Sequence, residues 1–186
     1  KVEREYLEVF NNPTIITAGR LSKQKGHWHL IRSFKKIKEE VPEAKLIILG
    51  QGELEDYLKQ LTVDLLLEKD VYFLGFQKNP FKYIAKSTVF AFPSLYEGFP
   101  NALCEAMACG IPVISADCKS GPREILAPDT SIDLSATSIE YSKYGILVPI
   151  CDGRIYKYDT ELTEQEIILS ESIVEILEDE NLREKY

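Results

Sequence analysis

The feature of this sequence that most restricts its fold is a regular alternation of short apolar runs with longer segments of helical periodicity. The run at 14–18 is rich in β-branched residues and ends at Gly19, which is typical of a buried strand. In the next segment, 28–41, apolar residues recur at helical spacing, and Pro42 ends the pattern. Strand–helix alternation of this kind predicts an α/β fold: a Rossmann-like, doubly wound parallel sheet with helices on both faces.

The alternation continues along the chain. Further strands are predicted at 45–49, 71–74, 89–92, 113–115 and 146–148. Further helices are predicted at 54–65, 81–85, 102–109 and 122–126. Thr163 and Glu166 have the spacing of a capping box and predict the start of a final helix. With 186 residues, the chain is expected to form a single domain, 1–186, around one core.

The charge balance restricts the class of ligand. Lys and Arg number 22 and Asp and Glu number 30, so the formal net charge is −8. A general nucleic-acid binder needs a basic face to displace counterions, and this balance argues against such a function. A small anion such as a diphosphate needs only a local patch of N–H groups and cations, so nucleotides remain compatible with the composition.

Cysteine and histidine spacing argue against a metal site. The four cysteines include no C-x-x-C pair, so we expect reduced, mostly buried thiols and no metal. His27 and His29 lie near the start of a predicted helix and are expected at the surface. No apolar run approaches the ~20 residues that span a bilayer. The polar first residues and the helical pattern that reaches Tyr186 suggest a fragment of a longer polypeptide.

Three loops follow predicted strands on the edge of the sheet where such folds bind ligands: 19–26, 50–53 and 93–101. The first contains Arg20 and Lys25 and leads into a helix, an arrangement that suits phosphate, although solvated loop charges are the plain alternative. His27 follows the last glycine of this loop, so it is not a P-loop.

The second loop has only part of a dinucleotide-binding pattern. Gly50 and Gly52 begin a G-x-G-x-x-G sequence, but Glu55 stands where the third glycine belongs. That glycine allows close packing of helix on strand in dinucleotide folds. The loop is therefore interpreted as a tight strand-to-helix turn, and NAD binding is the less favoured alternative.

The third loop carries two carboxylates, Glu97 and Glu105, eight positions apart around a predicted helix start. Gly98 allows close approach of the backbone, and Asn101 is expected to cap the helix. Carboxylates accept hydrogen bonds from sugar hydroxyls, while free N–H groups bind phosphate oxygens. Either carboxylate alone would be interpreted as a surface residue, but together with the loop they indicate a nucleotide-sugar ligand.

These motifs, in this order, resemble one known family. The Glu97–Glu105 spacing is similar to the E-x7-E signature of retaining GT-B glycosyltransferases of the glycosyltransferase group 1 family. The loop from Gly19 to Gly26 resembles the diphosphate loop of that family, and 50–52 and 73–76 resemble its two following turns. The stretch 120–125 is similar to one in bacterial polysaccharide-building members. The resemblance covers about 14–150.

The resemblance implies a role for each matching residue. Arg20 and Lys25 would neutralise the donor diphosphate as it leaves, Glu105 would hold the ribose hydroxyls, and Glu97 would contact the transferred sugar. Glu97, Arg20 and Lys25 are therefore the expected catalytic residues. The other expected donor-binding residues are Gly19, Gly52, Gly75, Phe76, Gly98, Phe99, Asn101 and Ala102. Pro100 departs from members that have glycine there and cannot supply an N–H.

The resemblance also implies an activity. The chain would be the C-terminal, donor-binding half of an enzyme that transfers a hexose or N-acetylhexosamine, with retention, from a UDP-sugar to a glycan or lipid-linked acceptor in bacterial polysaccharide assembly. It would need no metal or cofactor, and the isolated domain would be inactive. An N-terminal acceptor domain, absent from this sequence, would precede the chain, and residues 1–12 would be the linker between the two domains. The helices of 163–186 would be truncated. The enzyme would be cytoplasmic, with peripheral attachment at the inner membrane face.

Two other classes of function remain open. One is a nucleotide-binding partner module without catalysis. The other is a different enzyme on the same architecture, either a sugar-nucleotide epimerase or an NAD-dependent dehydrogenase.

Overall fold

A seven-stranded sheet forms the centre of the molecule. The computed structural model describes residues 2–186, except for the side chain of Glu5. The strands are β1 (Thr14–Ala18), β2 (Lys45–Leu49), β3 (Val71–Gly75), β4 (Val89–Phe92), β5 (Val113–Ala116), β6 (Glu140–Tyr141) and β7 (Ile146–Val148). Their spatial order is β3-β2-β1-β4-β5-β7-β6, and every neighbouring pair is parallel except β6 and β7. The predicted α/β fold is confirmed; the short antiparallel β6 was not predicted.

The helices agree closely with the predicted ones. They are α1 (His27–Glu40), α2 (Glu55–Asp64), α3 (Phe81–Ile84), α4 (Asn101–Ala108), α5 (Pro122–Leu126), α6 (Glu164–Glu178) and α7 (Glu180–Lys185). The predicted helices of 163–186 are α6 and α7, which are separated at Asp179: this residue leaves the helical conformation, and its side chain accepts a hydrogen bond from the N–H of Leu182. None of the helices described is long and apolar enough to cross a membrane.

Hydrophobic clusters cover both faces of the sheet. Along β1, Ile15 belongs to the cluster under α1, α2 and α6, and Ile16 to the cluster under α3, α4 and α5. Both side chains are fully buried. Successive side chains of a strand point to opposite faces, so a strand buried on both faces is an unbroken apolar run. This is why the strands could be recognised from sequence without polar–apolar alternation.

The first residues pack against the domain. Residues 4–6 and 9–11 form 3₁₀ helices, and Val2 and Val9 are buried in the cluster under α3, α4 and α5. Glu3 accepts a hydrogen bond from the ammonium of Lys82 at 2.5 Å. Lys1, the first residue of the predicted linker 1–12, lies outside the described residues. The assignment of 1–12 as an interdomain linker stays a prediction.

A buried ion-pair cluster joins α1 to the start of α6. Glu166 Oε1 lies 2.9 Å from Arg32 Nε and 2.7 Å from His29 Nδ1, and all three side chains are at most 1% exposed. The other carboxylate oxygen of Glu166 accepts the N–H of Thr163, whose hydroxyl accepts the N–H of Glu166. The capping box is thus confirmed. The expectation that His27 and His29 lie at the surface was wrong, because α1 is buried at its start on all sides.

The sheet places its ligand edge between β1 and β4. These strands are neighbours, and the connections on either side of them proceed in opposite directions across the sheet. In open α/β sheets, this switch point opens a crevice at the carboxyl ends of the strands. The loops that follow β1 and β4 carry Arg20, Lys25 and Glu97. The fold therefore brings the main predicted site residues to one crevice.

Candidate nucleotide-binding site

Two glycines allow the loops after β1 and β2 to pack backbone against backbone. A Cβ on Gly50 would overlap the carbonyl oxygen of Gly19, and one on Gly52 would overlap the backbone of Leu21. The N–H of Leu21 donates to the carbonyl of Gln51 at 3.0 Å across the same contact. The partial G-x-G pattern therefore serves loop packing. For Gly52, a contact with the donor stays a prediction.

The loop after β1 also contacts the loop after β4. The ammonium of Lys25 donates to Glu97 Oε1 at 2.6 Å, and these side chains are 18% and 4% exposed. The Gln24 amide donates to the carbonyl of Tyr96 at 2.9 Å and lies 3.5 Å from Glu97 Oε2. The N–H of Leu95 donates to the Gln24 carbonyl at 2.8 Å. Gln24 was not singled out from the sequence, since a glutamine in a charged loop carries no signal by itself.

Arg20 is the more accessible of the two predicted cations. Its side chain is 74% exposed and lies 3.3 Å from the exposed carboxylate of Glu53. An exposed pair of this kind adds little to stability, so Arg20 can exchange Glu53 for a ligand at small cost. His27 adds no charge here, because burial lowers its pKa to about 3, with a further lowering from the charge of Lys25. The positive charge that this loop offers thus comes from its arginine and lysines.

Free backbone donors lie where the loop after β4 meets α4. The N–H groups of Gly98, Phe99 and Ala102 have no acceptor among the described residues. Nothing lies within 4 Å of where a Cβ on Gly98 would be. Pro100, which has no N–H, packs instead on Gly121, where an added Cβ would overlap the proline ring. Three unpaired donors beside open space are suited to binding oxygens of an anionic ligand.

The expected helix cap at Asn101 was wrong. Asn101 is the first residue of α4, Pro100 occupies the cap position, and no side chain caps the helix. The N–H of Asn101 donates to the carbonyl of Phe99 at 3.0 Å, which draws Asn101 into the first turn. The start of α4 therefore keeps donors unsatisfied that a side-chain cap would have occupied.

The two carboxylates of the E-x7-E pattern have different surroundings. Glu97 is held by Lys25, whereas Glu105 is exposed on α4 with no ion pair among the described side chains. Cys118 lies close enough to Glu97 for its charge to matter: burial, followed by the charge of Glu97, raises the pKa of the thiol to about 12. The thiol therefore stays protonated. Glu105, being exposed, is accessible to a ligand.

A pocket of about 340 Å³ opens beside Arg20 at the ends of β1 and β2 and the turn after β3. Phe76 lies at its rim with 69% of its surface exposed. The lining residues are Ala18, Gly19, Arg20, Leu49, Gly50, Gln51, Phe76, Gln77 and Pro80. Gly75, with a φ of 66°, turns the chain into this rim and accepts the N–H of Gly50. Most of the lining residues are apolar or contribute backbone, which suits a planar apolar group, and Arg20 brings a positive charge to the same pocket.

Metal-binding residues do not cluster in the described part of the chain: it contains no group of three His, Cys, Asp or Glu side chains placed to hold an ion. Cys118 and Cys151 are buried free thiols, while Cys104 and Cys109 are partly exposed. The expectation of buried thiols is therefore confirmed for two of the four cysteines.

Several known proteins are similar to this chain in sequence. The profile of the family described as "Glycosyl transferases group 1" matches residues 2–133. An uncharacterized glycosyltransferase of Methanocaldococcus jannaschii is 47% identical over all of this chain and 47% of its own length. The N-acetylgalactosamine-N,N'-diacetylbacillosaminyl-diphospho-undecaprenol 4-alpha-N-acetylgalactosaminyltransferase of Campylobacter jejuni is 37% identical over 92% of this chain and 39% of its own.

A solved structure shares the fold. The crystal structure of Anabaena HepE in complex with UDP and glucose superposes with a TM-score of 0.73 at 27% identity, over 97% of this chain and 42% of HepE. The chain thus spans less than half the length of each of these three proteins. Because the family profile covers more than two thirds of the sequence and includes every predicted site residue, the chain belongs to the group 1 glycosyltransferase family.

Proposed function

We propose that this chain is the donor-binding part of a retaining glycosyltransferase that uses a UDP-sugar. The observation that carries the proposal is the meeting of three features at one crevice: the Lys25–Glu97 pair, the free N–H groups at 98–102, and the pocket bordered by Arg20. Together they offer cations and N–H donors for a diphosphate, carboxylates for hydroxyls, and an apolar slot for a base.

Each part of the donor has a matching part of the site. The base would enter the pocket at Phe76, with the ribose hydroxyls toward Glu105. The diphosphate would lie between Arg20, Lys25 and the free N–H groups of the loop before α4. When the bond from the anomeric carbon to the diphosphate breaks, negative charge grows on the leaving oxygen, and the two cations stabilise it. Glu97 would contact the sugar and stabilise the positive charge developing at its anomeric carbon.

UDP as the nucleotide is supported by the solved relative. HepE was crystallised with UDP and glucose and is 27% identical over 97% of this chain. A lipid-linked or glycan acceptor is supported by the Campylobacter relative, whose name specifies a diphospho-undecaprenol acceptor and transfer of N-acetylgalactosamine. We propose a hexose or N-acetylhexosamine as the transferred sugar. Acceptor binding would need a further domain, and transfer would take place at the cytoplasmic face of the membrane without a metal.

Arg20→Ala is expected to weaken UDP binding about tenfold while leaving uridine binding unchanged, because Arg20 would contact phosphate and not the nucleoside. Calorimetric titration of both ligands into the wild type and the variant measures this directly. Glu53→Ala is the matched control, since it removes the present partner of Arg20 without removing the cation. Equal losses for UDP and uridine would exclude a phosphate-specific role.

Glu105→Ala is expected to weaken UDP binding by about 1–3 kcal/mol, the size of the charge-assisted hydrogen bonds lost from the ribose hydroxyls. Because Glu105 is exposed and forms no ion pair with the described side chains, the fold should keep its stability. Titration with UDP and with 2',3'-dideoxy-UDP separates the two explanations. If the variant loses affinity equally for both, Glu105 does not bind the ribose hydroxyls.

A thermal-shift screen with UDP-sugars and GDP-sugars tests the proposed function as a whole. We expect a UDP-sugar to raise the melting temperature, because a ligand that binds only the folded state stabilises it. Protection by a GDP-sugar alone would change the donor assignment. No protection by any sugar nucleotide would contradict the proposal.

A further inference from the structure

Gln24 makes three contacts with the loop after β4. Its backbone carbonyl accepts the N–H of Leu95 at 2.8 Å. Its side-chain amide donates to the carbonyl of Tyr96 at 2.9 Å and lies 3.5 Å from Glu97 Oε2. Gln24 therefore contacts three consecutive residues of this loop, the last of which is Glu97.

The neighbouring residue completes the contact. Lys25 binds Oε1 of Glu97, and the Gln24 amide lies near Oε2. Two consecutive residues of one short 3₁₀ helix therefore contact the two oxygens of a single carboxylate. The Glu97 side chain is 4% exposed, and no other side chain of the described residues donates to it. A charge so removed from water keeps its position only where such donors hold it.

Binding of the donor would change the contacts that Glu97 makes with Lys25. If the ammonium of Lys25 also binds the diphosphate, it is shared between two anions and holds Glu97 less firmly. The Gln24 amide and its bond to the Tyr96 carbonyl then remain as further contacts that hold the carboxylate in place. An amide is suited to this, because it has two N–H groups and its orientation does not depend on the charge of the ligand.

We propose that Gln24 is a positioning residue that holds Glu97 toward the transferred sugar, and that it thereby controls affinity for the sugar moiety of the donor. The inference rests on the proposed function and adds a residue to it. Gln24 itself touches neither nucleotide nor sugar. Its effect should appear in the sugar-dependent part of binding and leave the nucleotide-dependent part unchanged.

Gln24→Met tests the proposal, because methionine fills nearly the same volume without an N–H group. UDP, UDP-glucose and UDP-N-acetylgalactosamine are titrated into the wild type and the variant. Of the two sugar nucleotides, the one with the higher affinity for the wild type is used for the comparison with UDP. The variant should lose about tenfold in affinity for the sugar nucleotide and less than about twofold for UDP. Gln60→Met is the control, since Gln60 is exposed on α2 and its amide donates a hydrogen bond to Asp64, outside the candidate site.

The outcomes separate this inference from the proposed function. A wild-type chain that binds neither UDP nor a sugar nucleotide contradicts both. A wild type that binds both, with a variant that loses the two affinities equally or loses neither, overturns the role of Gln24 alone. Gln24→Ala replaces Gln24→Met if circular dichroism shows that the methionine variant is unfolded, and the same comparison then applies.

Discussion

Glu166→Ala is expected to lower the free energy of unfolding by about 3–5 kcal/mol, the usual cost of removing one partner of a buried ion pair. Glu166 is fully buried, and its loss leaves Arg32 with a buried charge that lacks its carboxylate. The change also removes the capping box at the start of α6 and the contact with His29. Urea denaturation followed by circular dichroism measures the change in stability.

Glu171→Ala is the matched control, because Glu171 lies on the exposed face of the same helix. The free energy of unfolding of the Glu171→Ala variant should stay within about 0.5 kcal/mol of the wild-type value, as for most surface substitutions. If both variants unfold at the same urea concentration, the buried cluster contributes nothing to the attachment of α6 to α1.

The same cluster gives a pH dependence of known sign. Burial raises the pKa of Glu166, but hydrogen bonds from His29 and Arg32 lower it, and the net result lies below the usual 4.5. A carboxylate with a lowered pKa contributes stability that is present above pH 4.5 and is lost as the pH falls through the lower folded value. As the pH falls from 5 to the acid transition, the free energy of unfolding should therefore decrease less in Glu166→Gln than in the wild type. Urea denaturation of both proteins at each pH measures this difference.

Lys25→Met is expected to weaken UDP binding by about 10- to 100-fold, the loss of one or two charged hydrogen bonds to the diphosphate. Methionine retains the apolar stem that lies against Gly19, and the change removes the ammonium, which lies 5.4 Å from the centre of the Phe92 ring. It also leaves Glu97, with a side chain only 4% exposed, without its ion-pair partner. Calorimetry with UDP gives the affinity, and urea denaturation gives the accompanying loss of stability.

Lys23→Met separates a specific contact from the general attraction of a basic loop. Lys23 lies on the same 3₁₀ helix, is exposed, and has no ion pair with the described residues. The Lys23→Met variant should bind UDP with an affinity within about threefold of the wild type, because charges exposed to water are screened. Equal losses in the Lys23 and Lys25 variants would show that Lys25 acts only through the net charge of the loop.

The sequence was sufficient to predict the sheet because its central strands are apolar on both faces. Ile15, Ile16, Ile47 and Ile48 form part of unbroken buried runs, and the glycines that follow β1 and β2 mark where they end. β6 was missed because it has two residues, and its strand character comes from pairing with β7 across a loop. A pairing of that kind leaves no periodic pattern in the sequence.

The sequence was sufficient to predict which residues lie at the candidate site, but not which of them contact one another. Arg20, Lys25 and Glu97 could be placed at one edge because each follows a strand of the same sheet. The contact between Lys25 and Glu97 joins residues 72 positions apart, and no local pattern indicates it. The burial of His29 has the same cause: its partner Glu166 is 137 positions away, on a helix whose packing against α1 is a tertiary feature.

Calorimetric titration of the chain with UDP, GDP and NADH tests the central claim most directly. A nucleotide-sugar donor site should bind UDP through the base pocket, the two cations and the free N–H groups at 98–102, and should not bind NADH. We therefore predict saturable UDP binding that is weaker for GDP and absent for NADH. Saturable binding of NADH with no binding of UDP or GDP would contradict the assignment of this crevice to a sugar nucleotide.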